Sequence, residues 1–430
     1  MARSRRPPFE RIVDLAYALD WKLLGRWGDF SKGIEIVKKR VAFLAFTEAH
    51  QHLHWLPVAL RLAEKPDVEV TVLSGSKAAL RFIQNLDRDR VLKLRYLWFP
   101  KWGDDDLFRP PRRTRVLLFH GRTIASYPFL VTTEVTSSVL YRQPGFASKM
   151  IHMKHGAGDQ ESSFNSRHAL FDLTLVYGQK HKDRLVERGW AFDDDCHVVG
   201  CAKFELAGEP IKLFPNDNPV ALYNPHWKNL STFPRFGERL IRKMEELPNW
   251  NFIVAPHVKS RFQTVTTAAP NIIVDVRSAR SIDMTYTQAA DIYIGDVSSQ
   301  VYEFVRRSRP CIFLNLEHVD WRGRPNYLHW TMGQVIEHVD DLGPALDRAD
   351  YVQPLYADLQ RELFSYSIDE SDDHPSARQA EIILKFMEGE IAPRRSELKP
   401  GVKDGSHFQW LFRRWLRGLF GASNAAPDSK

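Results

Sequence analysis

The chain is short of the features that would classify it at once. Only three cysteines occur in 430 residues (Cys196, Cys201 and Cys311), and no pair is spaced Cys-x-x-Cys. That excludes a disulfide framework and a cysteine-based zinc site, and a reducing compartment is expected. No run approaches the roughly 18 apolar residues that a membrane-spanning helix needs. The basic start is followed by a stretch broken by Glu10, Asp14, Asp20 and Lys22, so no secretory signal is expected. Neither Gly-x-Gly-x-x-Gly nor a Gly-Lys-Ser/Thr loop is present, which argues against a dinucleotide dehydrogenase and a P-loop NTPase. No cofactor is expected, and the chain should stay in the cytoplasm, soluble or on a membrane surface.

What is present is an ordinary globular composition, 43% hydrophobic and 26% charged, which excludes a mainly disordered chain. At about 100–200 residues per domain, the length predicts two domains. Sixty Lys and Arg face 53 Asp and Glu, a formal net charge of +7 that suits nucleic acid, an anionic membrane or a phosphorylated substrate. Twelve tryptophans favour a membrane interface, where the ring's apolar body and polar edge are both satisfied. Nothing gathers into a nucleic-acid reader, so no nucleic-acid partner is expected.

The apolar pattern supplies the architecture. An amphipathic helix is expected over 9–27, within an N-terminal segment 1–40. Short apolar runs over 41–46, 68–73, 116–119, 129–133, 149–153 and 173–177 are expected to be strands, with a helix over 55–64. A second series begins after the polar, proline-containing stretch 208–219. It has strands at 220–223, 251–255, 272–274, 291–294 and 311–314, and helices at 234–246 and 299–306. Continuous apolar strands separated by helices imply parallel sheets covered on both faces. The expectation is an α/β chain with two Rossmann-like, doubly wound parallel-sheet domains, 41–207 and 208–388, and a cleft between them.

Ligands in such sheets bind outside the carboxyl ends of the strands, and four motifs fall there. Lys154-His155-Gly156-Ala157-Gly158 follows the strand 149–153, and a turn holding a satisfied histidine explains it as well as a cleft residue does. Tyr223-Asn224-Pro225-His226-Trp227-Lys228 follows the first strand of the second domain, and a plain strand exit is an equal reading. Ala255-Pro256-His257-Val258-Lys259 delivers two donors at i and i+2, suited to a phosphate, although a solvated loop fits equally. Gly295-Asp296-Val297-Ser298-Ser299 leads into a helix whose start would bind an anion, with Glu303 one turn on to accept from ribose hydroxyls.

Together these motifs resemble the CDP-glycerol glycerophosphotransferase family, the teichoic-acid polymerase type with GT-B architecture. The similarity runs over about 41–386 and is strongest over 149–315. His155-Gly156 is similar to the family's His-Gly pair, and Asp296-Val297-Ser298-Ser299 to its Asp-Tyr-Ser-Ser. Tyr223 to Lys228 resembles Tyr-Ala-Pro-Thr-Trp-Arg, with His226 and Lys228 as departures, and 199–204 lacks the proline of the family's Gly-x-Pro element. Ala255-Pro256-His257 corresponds loosely to the Lys-x-His-Pro element, and Ser308-Arg309-Pro310 to Gly-Lys-Pro.

The resemblance implies a transferase that moves glycerol phosphate, or a related group, from a nucleotide-activated donor, CDP-glycerol first, to a polyol-phosphate or glycan acceptor, lipid-linked at the inner membrane face. The first domain would hold the acceptor and the second the donor. His155 would be the general base, and His257 would hold the donor pyrophosphate and stabilise the leaving nucleotide. Gly156, His226, Lys228, Lys259, Asp296, Ser298, Ser299 and Glu303 would line the substrate site, with protein donors in place of a metal. Three rivals remain: a capsule or lipopolysaccharide glycosyltransferase using a CMP- or UDP-sugar, a nucleotide-sugar 2-epimerase, and a peripheral membrane protein with a degenerate cleft.

Three features stand apart. His50, Gln51, His52 and His54 are expected in an extended loop at the cleft, touching acceptor and holding no metal. Asp104 to Asp106 and Asp193 to Asp195 read as solvated loops, and the basic run from Arg109 to Arg115 reads either as a surface loop or as a contact for lipid phosphates. Finally, 389–430 is a polar linker and then a basic aromatic tail. Trp410, Arg413, Arg414, Trp415 and Arg417 suit a helix lying on an anionic membrane, or one packed on the domain.

Overall fold

The computed structural model describes residues 38–99, 106–227, 231–260, 266–371 and 374–394. The helix expected over 9–27, Lys228, Asp104, Asp105 and the tail lie outside them. The first sheet has seven strands: β1 (Lys39–Leu44), β2 (Val68–Ser74), β3 (Lys93–Tyr96), β4 (Phe129–Thr132), β5 (Lys149–Met153), β6 (Leu173–Val176) and β7 (Cys196–Val198), ordered 3-2-1-4-5-6-7. The second has six: β8 (Val220–Tyr223), β9 (Asn251–Val254), β10 (Ile272–Val274), β11 (Ile292–Gly295), β12 (Cys311–Leu314) and β13 (Gln334–Ile336), ordered β10-β9-β8-β11-β12-β13. Every neighbouring pair is parallel.

Each sheet reverses its strand order once, between β1 and β4 in the first and between β8 and β11 in the second. A crevice opens at such a reversal, because the flanking connections leave to opposite faces. The two crevices meet between the domains. The central strands are buried along nearly their whole length, as their continuous apolar runs require.

Some elements differ from expectation. Residues 116–119 are not a strand but the end of a helix, Arg113–Phe119, which packs Val116 and Leu117 over Ala42, Leu44 and Leu130. A four-residue apolar run carries no period long enough to separate the two forms. The helix expected over 55–64 is Ala49–Ala63, so the histidines after β1 are helical and not in an extended loop. Their polar side chains hid the period, because the first turns of that helix face the cleft instead of a core. Asp195 is buried, where Arg394 grips it with a fork of hydrogen bonds and also donates to the carbonyls of His168 and Trp190.

The largest difference lies at the C-terminus. Helix Pro375–Glu388, assigned by sequence to the second domain, returns to the first, where Ala380, Ile383, Phe386 and Met387 join the core of Val41, Trp55, Ala59 and Val131. An amphipathic pattern gives the apolar face of a helix but not its partner. A further cluster spans the domains, joining Ala157, Tyr177 and Cys201 to Tyr302, Phe304 and Leu363.

Candidate active site

A cavity of about 310 Å³ occupies the meeting point of the two crevices. The first domain lines it with His50, Gln51 and His54 from helix Ala49–Ala63, Thr133 and Glu134 after β4, and the Lys154 to Gly158 turn after β5. The second contributes His226 and Trp227 after β8, His257 and Lys259 after β9, and Val297, Ser299, Gln300 and Glu303 after β11.

His155 is held in a single tautomer. Its Nδ1 lies 2.8 Å from the carbonyl oxygen of Thr133. A carbonyl only accepts, so the ring proton sits on Nδ1 and Nε2 carries the lone pair. Burial lowers the value of the ring below that of an ordinary histidine; Glu134 opposes this, while Lys154 and Lys259 reinforce it. The neutral ring is therefore the resting form near pH 7. Glu134 is itself anchored, accepting from Gln51 Nε2 at 2.7 Å and pairing with Arg113 at 2.8 Å. Against the upward push of burial, Arg113, His155 and Lys259 hold its carboxyl at about 2. It is a fixed negative charge beside the His155 ring.

His257 has the opposite tautomer. Its Nδ1 accepts from the backbone N–H of Lys259 at 3.1 Å, which places the ring proton on Nε2. Its ring stands edge-on to His50, with centroids 5.2 Å apart, and close to His226 and Trp227. Burial, then the neighbouring His257, Lys259 and His155, push His50 well below its usual value. Lys259 reaches across to Glu48 of the first domain at 3.0 Å. The cleft thus combines one histidine that accepts a proton with another that donates, among lysines suited to an anion.

Most of the expected residues converge here: His155, Gly156, His226, His257, Lys259, Ser299 and Glu303 all line the cavity. Gly156 has a structural reason to be small, since a Cβ there would stand 3.2 Å from Ser299 Oγ, and one on Gly158 would stand 3.0 Å from Ser299 Cβ. The domains approach too closely at this turn for side chains. Glu303, expected to accept from ribose hydroxyls, lines the cavity already paired, since both its oxygens accept from Lys203 Nζ at 2.7 Å.

Asp296 and Ser298 turn away from the cavity. Asp296 is buried and accepts from the backbone N–H groups of His226 and Thr232, each at 2.8 Å, which shapes the loop after β8. Burial raises its value despite those bonds. Ser298 Oγ donates to Asn224 Oδ1 at 2.9 Å. Neither serine caps a helix: the expected helix over 299–306 is a single turn, Val301–Phe304, whose N-cap position is Gln300. A lone turn has too few aligned peptides to form the anion site expected there.

Sequence reasoning put His50 and His54 at the cleft but in a loop instead of a helix, quoted Lys154 and Lys203 within motifs without giving either a role, and missed Glu134. Glu134 sits two residues after β4, where the strand-end rule would have found it. Lys154 is buried, donates to the Ser163 carbonyl at 2.7 Å and is lowered to about 7 by burial and then by Lys180 and Arg184. Among the described residues, no three His, Cys, Asp or Glu side chains form a group able to hold a metal ion, and no helix is long and apolar enough to cross a membrane.

Beneath the cavity a buried network joins the domains. Asp159, after the His155 turn, accepts from Lys180 Nζ at 2.6 Å, Tyr302 Oη at 2.8 Å and His329 Nδ1 at 2.9 Å. Against the push of burial, Lys180 and His329 hold its carboxyl well below the usual range.

Two parallel-sheet domains with a cleft at their facing switch points define a GT-B-like fold. Residues 209–385 match the model of the family described as CDP-Glycerol:Poly(glycerophosphate) glycerophosphotransferase, the family that the motifs resemble. The wall teichoic acid polymerase TagF shares the architecture, with a TM-score of 0.56 at 13% identity over 90% of this chain and 99% of that one. A UDP-N-acetylglucosamine 2-epimerase gives 0.54 at 11% identity over 82% and 96%. The glycotransferase of kitacinnamycin gives 0.52 at 12% identity over 81% and 99%. At such identities the structural likenesses speak to the fold alone. Among curated proteins, none matches the sequence.

Proposed function

We propose that this enzyme transfers glycerol phosphate, or a closely related group, from a nucleotide-activated donor to a polyol-phosphate or glycan acceptor, and that the donor is CDP-glycerol. The observation that carries this reading is the opposed tautomers of His155 and His257 in one cleft whose donor side matches the glycerophosphotransferase family. TagF supports the choice of donor, since one of its solved structures was soaked with CDPG.

In this mechanism the acceptor hydroxyl attacks the glycerol-bearing phosphorus of the donor. Its proton passes to Nε2 of His155 as the new P–O bond forms. The bond to the bridging pyrophosphate oxygen breaks, and CMP leaves with the electron pair. His257 donates from Nε2 to the phosphate oxygens, and Lys259 adds charge where the negative charge builds up. Gln51 and Arg113 keep Glu134 in place, so that it stabilises the imidazolium formed on His155.

The epimerase alternative needs cleft carboxylates free for proton transfer, whereas Glu134 and Glu303 are both held in ion pairs. The acceptor is placed at the inner face of the membrane because the basic aromatic tail suits an anionic lipid surface. The test is a thermal-shift panel of CDP-glycerol, CMP, UDP and UDP-sugars. CDP-glycerol and CMP should raise the Tm saturably. Protection by uridine nucleotides alone would move the assignment to a sugar transferase, and no protection by any of them would remove the enzyme reading.

A further inference from the structure

Beside the reaction cleft lies a second concavity of about 380 Å³, which Arg109, Arg112 and Arg113 enter from the first domain and Arg277 from the second. Trp227 and Lys259 line both cavities, so the two lie side by side against that pair.

Its charges are not balanced. Five cationic side chains face one carboxylate, Glu48. Arg113 is committed to Glu134 and Lys259 to Glu48. Arg109 reaches only 4.0 Å from Asp106, and Arg112 pairs with no carboxylate among the described residues. Arg277 is fixed by donating to the carbonyls of Val258 at 3.2 Å and Ser260 at 2.9 Å, contacts that orient a guanidinium without neutralising it. Burial, and then the charge of Arg109, lower its value. Like charges gathered in a concavity focus a positive potential that a multivalent anion relieves. Guanidinium groups suit phosphate in particular, because their planar fork matches two oxygens.

We propose that this concavity is an acceptor subsite that binds an internal phosphodiester of the acceptor, behind the hydroxyl presented to His155. The inference rests on the transferase reading and specifies its substrate: a chain of polyol units joined by phosphates, held by Arg109, Arg112 and Arg277 while Trp227 offers an apolar wall to the carbon backbone. A soluble oligomer and a lipid headgroup both carry such a phosphodiester, and the test separates them.

The full-length protein and its R109E/R112E variant, both changed at exposed positions, are titrated with CDP, with tri(glycerol phosphate), with triglycerol lacking phosphate, and with phosphatidylglycerol vesicles. The expected result is binding of tri(glycerol phosphate) but not triglycerol, weakened at least about tenfold in the variant, roughly the loss of one charge-assisted contact, with CDP affinity unchanged. Equal oligomer binding by both proteins overturns the subsite, as does equal binding of triglycerol. A parallel loss of CDP affinity assigns the arginines to the donor and also overturns it. Loss of vesicle binding with unchanged oligomer binding makes the surface a membrane contact and overturns it too. Failure of the wild type to bind CDP counts against the transferase reading, while the oligomer titration still decides the subsite.

Discussion

His155 and Thr133 lock one tautomer in the cleft: with the Nδ1 proton committed to the Thr133 carbonyl at 2.8 Å, the lone pair rests on Nε2, and the proposed mechanism uses it as the base. Glutamine at position 155 keeps a donor for that carbonyl but has no comparable lone pair. H155Q should lower kcat by about 10²–10⁴-fold and leave the affinity for CDP nearly unchanged. Calorimetric titration beside steady-state rates separates the two, and a parallel loss of affinity would remove His155 from the base role.

The acid limb of the rate profile follows from the same ring. Protonation removes its lone pair, and burial holds its value below the ordinary 6.5. Rate should therefore stay level as pH falls through 6.5 and drop only below that. Lys154, lowered to about 7, is charged below that pH and neutral above it. Affinity for phosphate-bearing substrate should weaken as pH rises past 7. The K154M variant should lose this alkaline dependence of KM while keeping the acid limb of kcat.

Asp159 ties the domains together under the cleft. Its replacement by alanine leaves Lys180 buried without its partner, and breaking a buried pair in this way costs about 3–5 kcal/mol. Denaturant unfolding of D159A should show a loss of that order. The double variant D159A/K180M should recover part of it, since no charge is then left buried alone. Equal stability of wild type and D159A would show that the pair carries no net weight.

The tail prediction comes from composition alone. Deleting residues 404–430 should release the protein from anionic liposomes in a flotation assay while nucleotide protection stays intact. Continued flotation of the truncated protein would leave the tail without a membrane role.

Much of the architecture was legible because buried parallel strands are written as uninterrupted apolar runs, and the strand-end rule then led to His155 and His257. What stayed hidden depended on pairings across the fold. Lys203 and Glu303 are 100 positions apart and meet only when the domains do. Asp296 looked like a substrate residue, yet its carboxylate is used by N–H groups 64 and 70 positions earlier. The first turns of helix Ala49–Ala63 escaped because histidines replace the apolar stripe that reveals a helix. The edge strands β3, β7 and β13 are short and less uniformly apolar than the central ones, and edge position weakens the signal.

The return of helix Pro375–Glu388 to the first domain has a consequence for how the molecule is made. The second domain is an insertion within a discontinuous first domain, whose core lacks Ile383 and Phe386 until helix Pro375–Glu388 has been made. During translation the second domain can complete itself first, while the earlier half waits with an uncovered apolar face. The first domain then closes its core only after the second has been made, although its strands come earlier in the sequence.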